Sequence, residues 1–404
     1  MLKELAPLNS HDGYYSYNEN KLTDNFERLS RAFNSRFQNF DIAYSYKTNY
    51  TPYVCKQLKS LGAIAEVVSD MELDLALKLG YNGERIIYNG PYKSKKSLEK
   101  ALLNNVTIHI DSFEELTIIE KLILVNDYNA NIGIRVNIDI ENGNRSRFGI
   151  DHQSKEFKNI ISLILKNSKI SLIGIHCHLP YRNLNSFRLR AEKIIEICNS
   201  IEIDFDYIDL GGGFLGPINK KLEERLSIKA ISFEDYASEI SNVFIEKWIK
   251  NKIPKLIIEP GSALVANVFD FYCKAVSIKS IGNKNIVTLT GSKFNILPTA
   301  KKTFNLPIEI LSVNKSDSIK NKIYDLCGYT CIEDDILYES YEGVIEVNDI
   351  IKFSNVGSYS IVLKPPFILP NYPIILFGKS ANDYKVLKEA EDFDYIFEKF
   401  NFFV

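Results

Sequence analysis

The chain has almost no net charge, because 49 basic side chains oppose 51 acidic ones and leave a formal charge of -2 over 404 residues. A charge so close to zero gives no electrostatic reason to expect a nucleic-acid or anionic-membrane partner. No apolar run approaches the roughly 20 residues of a transmembrane helix. The opening Met1-Leu-Lys-Glu-Leu5 lacks the basic-then-apolar order of a signal peptide. These absences predict a cytoplasmic protein that acts on a small molecule.

Paired cysteine spacing is also missing. The six cysteines are scattered along the chain, which favours reduced thiols over a disulfide framework. Only Cys327 and Cys331 lie four positions apart, and without a second pair they do not complete a zinc site. We therefore expect no metal ion.

What the chain does contain is enough apolar material for two cores, with 45% hydrophobic residues and a length above the roughly 250 to 300 residues at which single cores stop growing. From about residue 25 to 260, short apolar runs alternate with amphipathic segments. The amphipathic segment from Ser69 to Lys78, for example, opens with a helix N-cap residue and a nearby acid. Eight strands are predicted, at 41–46, 65–68, 86–88, 107–110, 132–136, 172–175, 207–210 and 255–258.

Eight strand-helix units predict a closed (β/α)8 barrel, whose reactive groups lie at the C-terminal ends of the strands. An open doubly wound sheet shows the same alternation, so the count of units alone leaves both architectures open. The following polar or glycine residues fall at predicted strand ends: Lys47, Ser69, Asn89, Asp111, Arg135, His178, Gly211 and Glu259.

After Glu259 the pattern changes to short strand-like runs separated by turn residues, at 275–278, 286–289, 343–347, 350–353 and 360–363. These runs predict a second, β-rich domain. We expect the barrel to comprise residues 25–262, and the β-rich domain to comprise residues 1–24 together with 263–404.

Three reactive side chains point to one kind of chemistry. Lys47 follows the run Tyr44-Ser-Tyr46, and Glu259 follows Lys255-Leu-Ile-Ile258. Alone, the lysine fits a solvated loop residue and the glutamate fits a surface ion pair. Together with the thiol of Cys331 they supply an amine for a Schiff base, a carboxylate to keep a pyridine nitrogen protonated, and a proton donor. This combination indicates pyridoxal 5'-phosphate (PLP).

Two further motifs suit the same cofactor. His176 and His178 stand at period-two spacing, which suggests either a metal pair or a ring that stacks on a flat cofactor. The lack of acidic or cysteine ligands at matching spacing favours the ring. The segment Gly211-Gly-Gly213 lets backbone amides approach a phosphate closely, although a plain tight turn gives the same pattern.

In the C-terminal part, Cys331 and Asp335 share one turn-like segment, and Tyr359 follows Gly357 at a second turn. A buried structural cysteine and a core tyrosine are the alternatives to a functional role.

Taken together, eight motifs resemble those of the fold type III PLP-dependent decarboxylases, the family of the diaminopimelate, ornithine and arginine decarboxylases. The resemblance runs through nearly the whole chain and implies an alanine-racemase-like barrel with a β-rich second domain. In order, the motifs are Tyr44-Ser-Tyr-Lys47-Thr-Asn49, Val68-Ser-Asp-Met-Glu72-Leu73, Ser146-Arg-Phe-Gly-Ile150, His176-Cys-His178, Gly211-Gly-Gly213, Glu259-Pro-Gly261, Cys331 with Asp335, and Gly357-Ser-Tyr359.

The resemblance also implies roles. Lys47 would form the Schiff base, His178 would stack on the ring, and Glu259 would pair with the pyridine nitrogen. Cys331 would return a proton from a second subunit, so an obligate head-to-tail homodimer with shared active sites is expected. The phosphate would be bound by Gly212, Gly213, Gly261 and Tyr359 next to Ser262, and the substrate by Asp335 and Arg135.

Four positions depart from the family pattern. Ser262 stands where the family usually has a phosphate-binding arginine, whose loss would cost about 1.5 to 3 kcal/mol of cofactor binding if nothing compensates. Leu297 precedes a proline where diaminopimelate decarboxylases have a substrate-binding arginine. Leu179-Pro-Tyr181 replaces a glycine-serine segment, and Ile332 replaces an acid. These departures predict an unusual substrate.

The leading hypothesis is therefore an α-decarboxylase of an L-amino-acid-type substrate or modified peptide in a specialised pathway, such as siderophore or microcin C-type antibiotic assembly. The alternatives are a diaminopimelate- or ornithine-type decarboxylase of primary metabolism, an amino-acid racemase, and a non-catalytic homologue. Racemases of this barrel class place an arginine at the pyridine nitrogen, whereas Glu259 favours decarboxylation.

Overall fold

The computed structural model describes residues 2–139, 145–218, 222–224, 230–299, 304–312, 321–379 and 383–402. The chain forms two compact units. One comprises Thr23–Gly216 and Ile231–Leu264, and the other comprises Met1–Leu22, Pro217–Ala230 and Val265–Val404. Within the described ranges, no helix combines the length and apolarity that a bilayer crossing requires.

The first unit is a closed parallel barrel. Strand β1 (Gly13–Tyr17) belongs to the other unit, and the strands that follow it are β2 (Phe40–Ser45), β3 (Ile64–Val67), β4 (Ile86–Tyr88), β5 (Thr107–Ile110), β6 (Ala130–Asn137), β7 (Ile150–Asp151), β8 (Ile170–His176), β9 (Tyr207–Asp209) and β10 (Lys255–Ile258). Eight of them pair in the order β2-β3-β4-β5-β6-β8-β9-β10, and β10 pairs with β2. The short β7 only flanks β6. The predicted (β/α)8 barrel is confirmed, and the open sheet is excluded.

Local sequence explains where the helices begin. Ser69 accepts a hydrogen bond from the Glu72 N–H, and the Glu72 carboxylate accepts one from the Val68 N–H, which satisfies backbone donors that a helix start leaves unpaired. The same N-cap bond recurs at Ser94, Ser112, Ser154, Asn183 and Ser232. The helices are Leu2–Leu5, Glu19–Asn34, Pro52–Ser60, Asp70–Lys78, Lys95–Leu103, Phe113–Asn126, Lys155–Lys166, Leu184–Ser200, Phe233–Lys247, Ser262–Val265, Lys293–Ile296 and Phe393–Phe397.

The barrel interior has an apolar layer and a polar one. Ala43, Ile64, Ile87, Tyr207 and Ile257 form the apolar cluster. Apolar residues on both faces of short parallel strands are what a barrel wrapped by helices requires. The buried polar residues on or just after these strands include Glu66, Asn89, His109, His176, Asp209 and Glu259. Because buried polar groups need partners, this layer is where function is expected.

The second unit is mainly β-sheet. Its further strands are β11 (Phe269–Ile281), β12 (Lys284–Leu289), β13 (Ile308–Leu311), β14 (Lys322–Cys327), β15 (Ile336–Gly343), β16 (Ile350–Ser354), β17 (Ile374–Phe377) and β18 (Tyr384–Lys388). They pair in the order β15-β14-β12-β11-β1-β17-β18, with β16 on β11 and β13 on β16. The predicted β-rich domain is confirmed, including strands at 275–278, 286–289 and 350–353.

Two predicted strands in this unit are wrong. At 343–347 the strand stops at Gly343, because Asn348 takes a left-handed φ of 77° and the Asp349 carboxylate accepts the Glu346 N–H at 2.8 Å, which makes a turn. At 360–363 the chain also turns, since Tyr359 has a φ of 65° and the Leu363 N–H donates back to the Tyr359 carbonyl oxygen at 3.0 Å.

Candidate active site

Lys47 lies just past β2, in the single 3-10 turn Tyr46–Thr48. Its Nζ donates to Ser45 Oγ at 2.7 Å and pairs with Glu66 Oε2 at 2.9 Å. The lysine side chain is 37% exposed, whereas that of Glu66 on β3 is 1% exposed. The amine is therefore reachable from solvent and is oriented by a carboxylate that is not.

Asn89 connects this pair to Glu259. Its Nδ2 donates to Glu66 Oε1 at 3.1 Å and to Glu259 Oε1 at 2.5 Å. Asn89 follows β4 and Glu259 follows β10, so both lie at the C-terminal ends of their strands. One amide group thus bridges two buried carboxylates and fixes their orientation at the end of the barrel where a (β/α)8 enzyme has its reactive groups.

His109 extends the same network into the barrel. Its Nδ1 lies 2.7 Å from Asn89 Oδ1, and its Nε2 lies 2.6 Å from Tyr207 Oη. Since the Asn89 oxygen can only accept, the proton of His109 sits on Nδ1, and Nε2 accepts from the tyrosine hydroxyl. The ring of His109 stacks on that of His176 at 4.9 Å between centroids, and His176 Nε2 is 3.4 Å from Glu259 Oε2.

Burial makes this layer electrically neutral at its histidines. Loss of hydration lowers the pKa of both His109 and His176 well below the usual range, so neither imidazole is charged near neutral pH. Burial, together with the neighbouring Glu259, raises the pKa of Asp209 well above the usual carboxyl range. The protonated form of Asp209 is therefore favoured.

Four of these side chains, His109, His176, Asp209 and Glu259, place one potential metal-ligand atom each within 4.8 Å of one another. Both nitrogens of His109 are already hydrogen-bonded. A ligating carboxyl must be deprotonated, which the raised pKa of Asp209 opposes. The arrangement fits a hydrogen-bonded network better than a metal site.

His178 lies beyond β8, which ends at His176, so the strand-spacing argument does not apply to it. Its Nδ1 accepts the Gly212 N–H at 3.0 Å. Burial first, and then the charge of Lys47, lower the pKa of His178 to about 3. The ring is consequently neutral, with its proton on Nε2, and is positioned by the glycine segment.

The segment Gly211–Gly213 requires glycine at all three positions. Gly211 and Gly213 take left-handed φ values of 66° and 102°, which side chains with a Cβ rarely adopt. A Cβ on Gly212 would stand 2.5 Å from the Glu259 carbonyl oxygen. The Glu259 N–H also donates to the Gly211 carbonyl at 3.0 Å, so this backbone packs directly against the strand end that carries Glu259.

Position 261 also requires glycine, because a Cβ there would overlap the hydroxyl of Thr48, the neighbour of Lys47. Ser262 follows and begins the short helix Ser262–Val265. The structure thus brings Lys47, His178, Gly212, Glu259 and Gly261 together through direct contacts or short hydrogen-bonded links.

These residues fit PLP. A solvent-reachable amine suits the aldehyde, and a buried and oriented carboxylate suits a pyridine nitrogen. Three consecutive glycines, whose backbone N–H groups carry no side chains beside them, suit close approach of a phosphate. The neutral ring of His178 offers a flat surface on which the cofactor ring could stack.

Arg135, near the end of β6, contacts a second group of side chains. Its Nη1 lies 3.4 Å from Asp111 Oδ1, and its guanidinium lies over the Phe148 ring at 4.6 Å. Asp111 also accepts the Gly149 N–H at 3.1 Å. These contacts anchor the predicted Ser146–Ile150 motif to the strand ends. The substrate role of Arg135 stays a prediction.

Cys331 and Asp335 lie in the β-rich unit, on the loop between β14 and β15. Cys331 is exposed. Asp335 is buried, and its carboxylate accepts from Ser292 Oγ at 2.9 Å, the Lys293 N–H at 2.8 Å and Thr330 Oγ1 at 2.6 Å. These bonds brace the Cys331 loop. The proton-donor role of Cys331 and the substrate role of Asp335 stay predictions.

Tyr359, in the same unit, follows Gly357 with the left-handed φ of 65° already noted. The Gly357 N–H donates to the Ala266 carbonyl at 3.0 Å, which fixes the turn. Positive φ at a residue with a large side chain costs about 1 to 3 kcal/mol and is concentrated at functional sites. Its role at the phosphate remains a prediction.

Two contributors to the site, Glu66 and His109, were not predicted from the sequence. A signal existed for both, since Glu66 interrupts the apolar residues of Ile64–Val67 and His109 lies between two isoleucines in Thr107–Ile110.

Comparison with known proteins agrees with this geometry. Residues 23–266 match the family described as pyridoxal-dependent decarboxylase, pyridoxal binding domain. The chain is 26% identical to the diaminopimelate decarboxylase of Aquifex aeolicus, over 98% of this chain and 93% of the relative. It is 28% identical to that of Archaeoglobus fulgidus, over 92% and 90%.

The fold is shared with the crystal structure of diaminopimelate decarboxylase from M. jannaschii in complex with L-lysine, at a TM-score of 0.84 and 22% identity, covering 96% of this chain and 92% of that one. Since the family match spans the whole barrel with its lysine, glycine segment and carboxylate, the chain belongs to the PLP-dependent decarboxylases.

Proposed function

We propose that the protein removes the α-carboxylate of an amino acid of the diaminopimelate type. The observation that carries the proposal is the continuous link from Lys47 through Glu66 and Asn89 to Glu259. The relatives named diaminopimelate decarboxylase, which align over nearly their whole lengths, support this substrate class. They favour the primary-metabolism alternative over the specialised pathway expected from the sequence.

When bound, PLP supplies a conjugated ring that accepts the electron pair left as a bond to the substrate α-carbon breaks. Lys47 would hold the cofactor covalently through Nζ. Glu259 would face the ring nitrogen, and its orientation is fixed by the Asn89 amide. An oriented carboxylate pays no reorganisation cost when charge develops on the ring.

Lys47 would also serve as a proton carrier when its Nζ is not bonded to the cofactor. In the structure Nζ lies 2.9 Å from Glu66 Oε2 and 2.7 Å from Ser45 Oγ. The ion pair with Glu66 would orient Nζ, from which the lysine could pass a proton to the substrate carbon. Cys331 is the other candidate donor.

We further propose that the active form is a homodimer in which Cys331 serves the barrel of the other subunit. Support comes from its exposure on a loop that Asp335 braces. We expect Lys47→Ala and Cys331→Ala each to lose activity. Mixing the two variants under conditions that exchange subunits should restore activity, because one site of each mixed dimer is then intact. Failure to restore activity in verified mixed dimers would contradict the shared site.

A second substrate class is favoured by one observation. Leu297, half-buried after the helix Lys293–Ile296, occupies the position at which the resemblance implies an arginine for a distal carboxylate. An apolar side chain does not pair with a carboxylate. A substrate whose distal end is uncharged or differently substituted is therefore the second candidate.

Measuring CO2 release separates these candidates. The substrates are meso-diaminopimelate, L-ornithine, L-arginine and an L-amino acid with an apolar distal end, and Lys47→Ala is the control. Release from meso-diaminopimelate that the control abolishes supports the first candidate. Release only from a substrate without a distal carboxylate supports the second. Release from none of the four overturns the proposed function.

A further inference from the structure

Arg190 is a buried cation held entirely by neutral groups. It lies on the helix Leu184–Ser200 and has no exposed surface. Its guanidinium donates to four backbone carbonyl oxygens and to the Ser186 hydroxyl. The carbonyls are those of Leu179 at 3.0 Å, Tyr181 at 2.5 Å, Leu210 at 3.2 Å and Gly212 at 2.8 Å.

The guanidinium of Arg190 has no counter-ion in the part of the chain that the structure describes. The arginines that form ion pairs there are other ones. Burial lowers the pKa of Arg190 to about 10, so it is still protonated near neutral pH. Buried charges in proteins are normally paired with an opposite charge, because losing hydration costs several kcal/mol per ion. An unpaired one therefore indicates an anion that the described part of the polypeptide does not supply.

The position of Arg190 next to the glycine segment indicates which anion this is. Of its four carbonyl partners, Leu210 directly precedes the glycine segment and Gly212 lies within it, and the other two follow His178. A Cβ on Gly213 would stand 3.4 Å from Arg190 Nη2, so the guanidinium lies directly behind that segment. In a trans peptide the C=O and the next N–H point in opposite directions. By binding the Gly212 carbonyl, Arg190 turns the Gly213 N–H away from itself.

We propose that Arg190 is the counter-charge of the cofactor phosphate, acting through the backbone of Gly211–Gly213 in place of the guanidinium that the family pattern puts at Ser262. The proposal rests on PLP binding and not on the identity of the substrate. It accounts for both anomalies at once: a buried cation without an anion, and a phosphate site without its arginine. Arg190 is a positioning residue, because its hydrogen bonds go to the glycine segment and to the backbone after His178.

Comparing PLP with pyridoxal, which lacks the phosphate, separates the effect of the Arg190 charge on the phosphate from its structural effect on the site. Affinities of the full-length apoprotein for both are measured by visible absorbance and by borohydride trapping. Arg190→Leu should weaken PLP by about tenfold to 100-fold and leave pyridoxal within about twofold. Arg188→Leu, two positions away on the same helix and exposed, should change neither. Equal weakening of both ligands, or of neither, would overturn the proposal.

Two more variants keep the test decisive if Arg190→Leu folds poorly. Arg190→Lys keeps the charge but not the four-carbonyl fork, so it should bind PLP more tightly than Arg190→Leu. Adding Ser262→Arg to Arg190→Leu should restore PLP affinity, which a purely structural defect would not allow.

Phosphorus NMR of the bound cofactor gives an independent readout: the phosphate should lose its second proton at a higher pH in Arg190→Leu than in the wild type. An unchanged phosphate titration would count against the counter-charge.

Discussion

Asn89 Nδ2 donates to Glu259 Oε1 across 2.5 Å, which ties the residue after the third barrel strand to the residue after the last. The same amide nitrogen reaches Glu66, and the amide oxygen is held by His109. The amide cannot rotate without breaking at least two of these bonds. The direction of the Glu259 carboxylate is therefore set by the barrel itself, before any ligand binds.

Removing this amide should harm turnover more than cofactor binding. In Asn89→Ala the Glu259 carboxylate loses its donor and is no longer separated from that of Glu66 by a shared hydrogen-bonding group. We expect kcat to fall by about tenfold, while the affinity for PLP changes less. Steady-state kinetics and an absorbance titration measure the two. Asn34→Ala, which removes an exposed amide, is the control, and an unaltered kcat in Asn89→Ala would refute the role of the bridge.

Glu72 gives a prediction for pH dependence. Burial raises its pKa from 4.5 to about 7. The folded state thus binds its proton more tightly than the unfolded state, so stability falls as pH rises from about 4.5 to about 7 and is level above that range. The expected loss from this group is up to about 3 kcal/mol. Glu72→Gln should remove that part of the decline.

Urea unfolding of the apoprotein at several pH values between about 4.5 and 8 checks this. The exposed Glu84→Gln should reproduce the wild-type curve. A wild-type curve that rises over the same interval, with no difference in Glu72→Gln, is the contrary result.

The three barrel histidines should not titrate near neutral pH. Burial lowers the pKa of His109 and His176 well below the usual range and that of His178 to about 3. In NMR spectra of protein with labelled imidazole nitrogens, three rings should keep neutral-form shifts from about pH 5 to 8. The variants His109→Gln, His176→Gln and His178→Gln assign the signals. Protonation of any of the three above about pH 5 would show that the layer is not neutral.

Gly212→Ala should disturb the site without any backbone strain. Its Cβ would stand 2.5 Å from the Glu259 carbonyl oxygen, so the glycine segment and the β10 end must separate. We expect a loss of about 1 to 3 kcal/mol in stability together with weaker PLP binding. Gly282→Ala, where a Cβ meets no atom within 4 Å but the φ of 58° is strained for alanine, should lose stability and leave PLP binding intact, which separates a loss of stability from a loss of binding. Wild-type affinity in Gly212→Ala would mean that this packing does not shape the site.

The barrel and much of the site could be predicted from the sequence. Prediction failed for contacts that form only when the barrel sheet closes and for strands that end at a single turn. Lys47 and Glu259 were recognisable because each follows an apolar strand, and Ser69 because its capping signals are local. The bridge from Glu66 to Glu259 was not, since β3 and β10 come close only when the sheet closes. The strand at 343–347 was wrong because alternation of residues does not reveal that Asn348 adopts a positive φ.

The lysine that binds the cofactor covalently can be identified chemically. Protein reconstituted with PLP is reduced with borohydride, digested and analysed by mass spectrometry. We expect one phosphopyridoxyl group, on Lys47, and a visible absorbance band that disappears on reduction and is missing from Lys47→Ala. An adduct on another lysine, or protein that stays colourless at saturating PLP, would contradict this expectation.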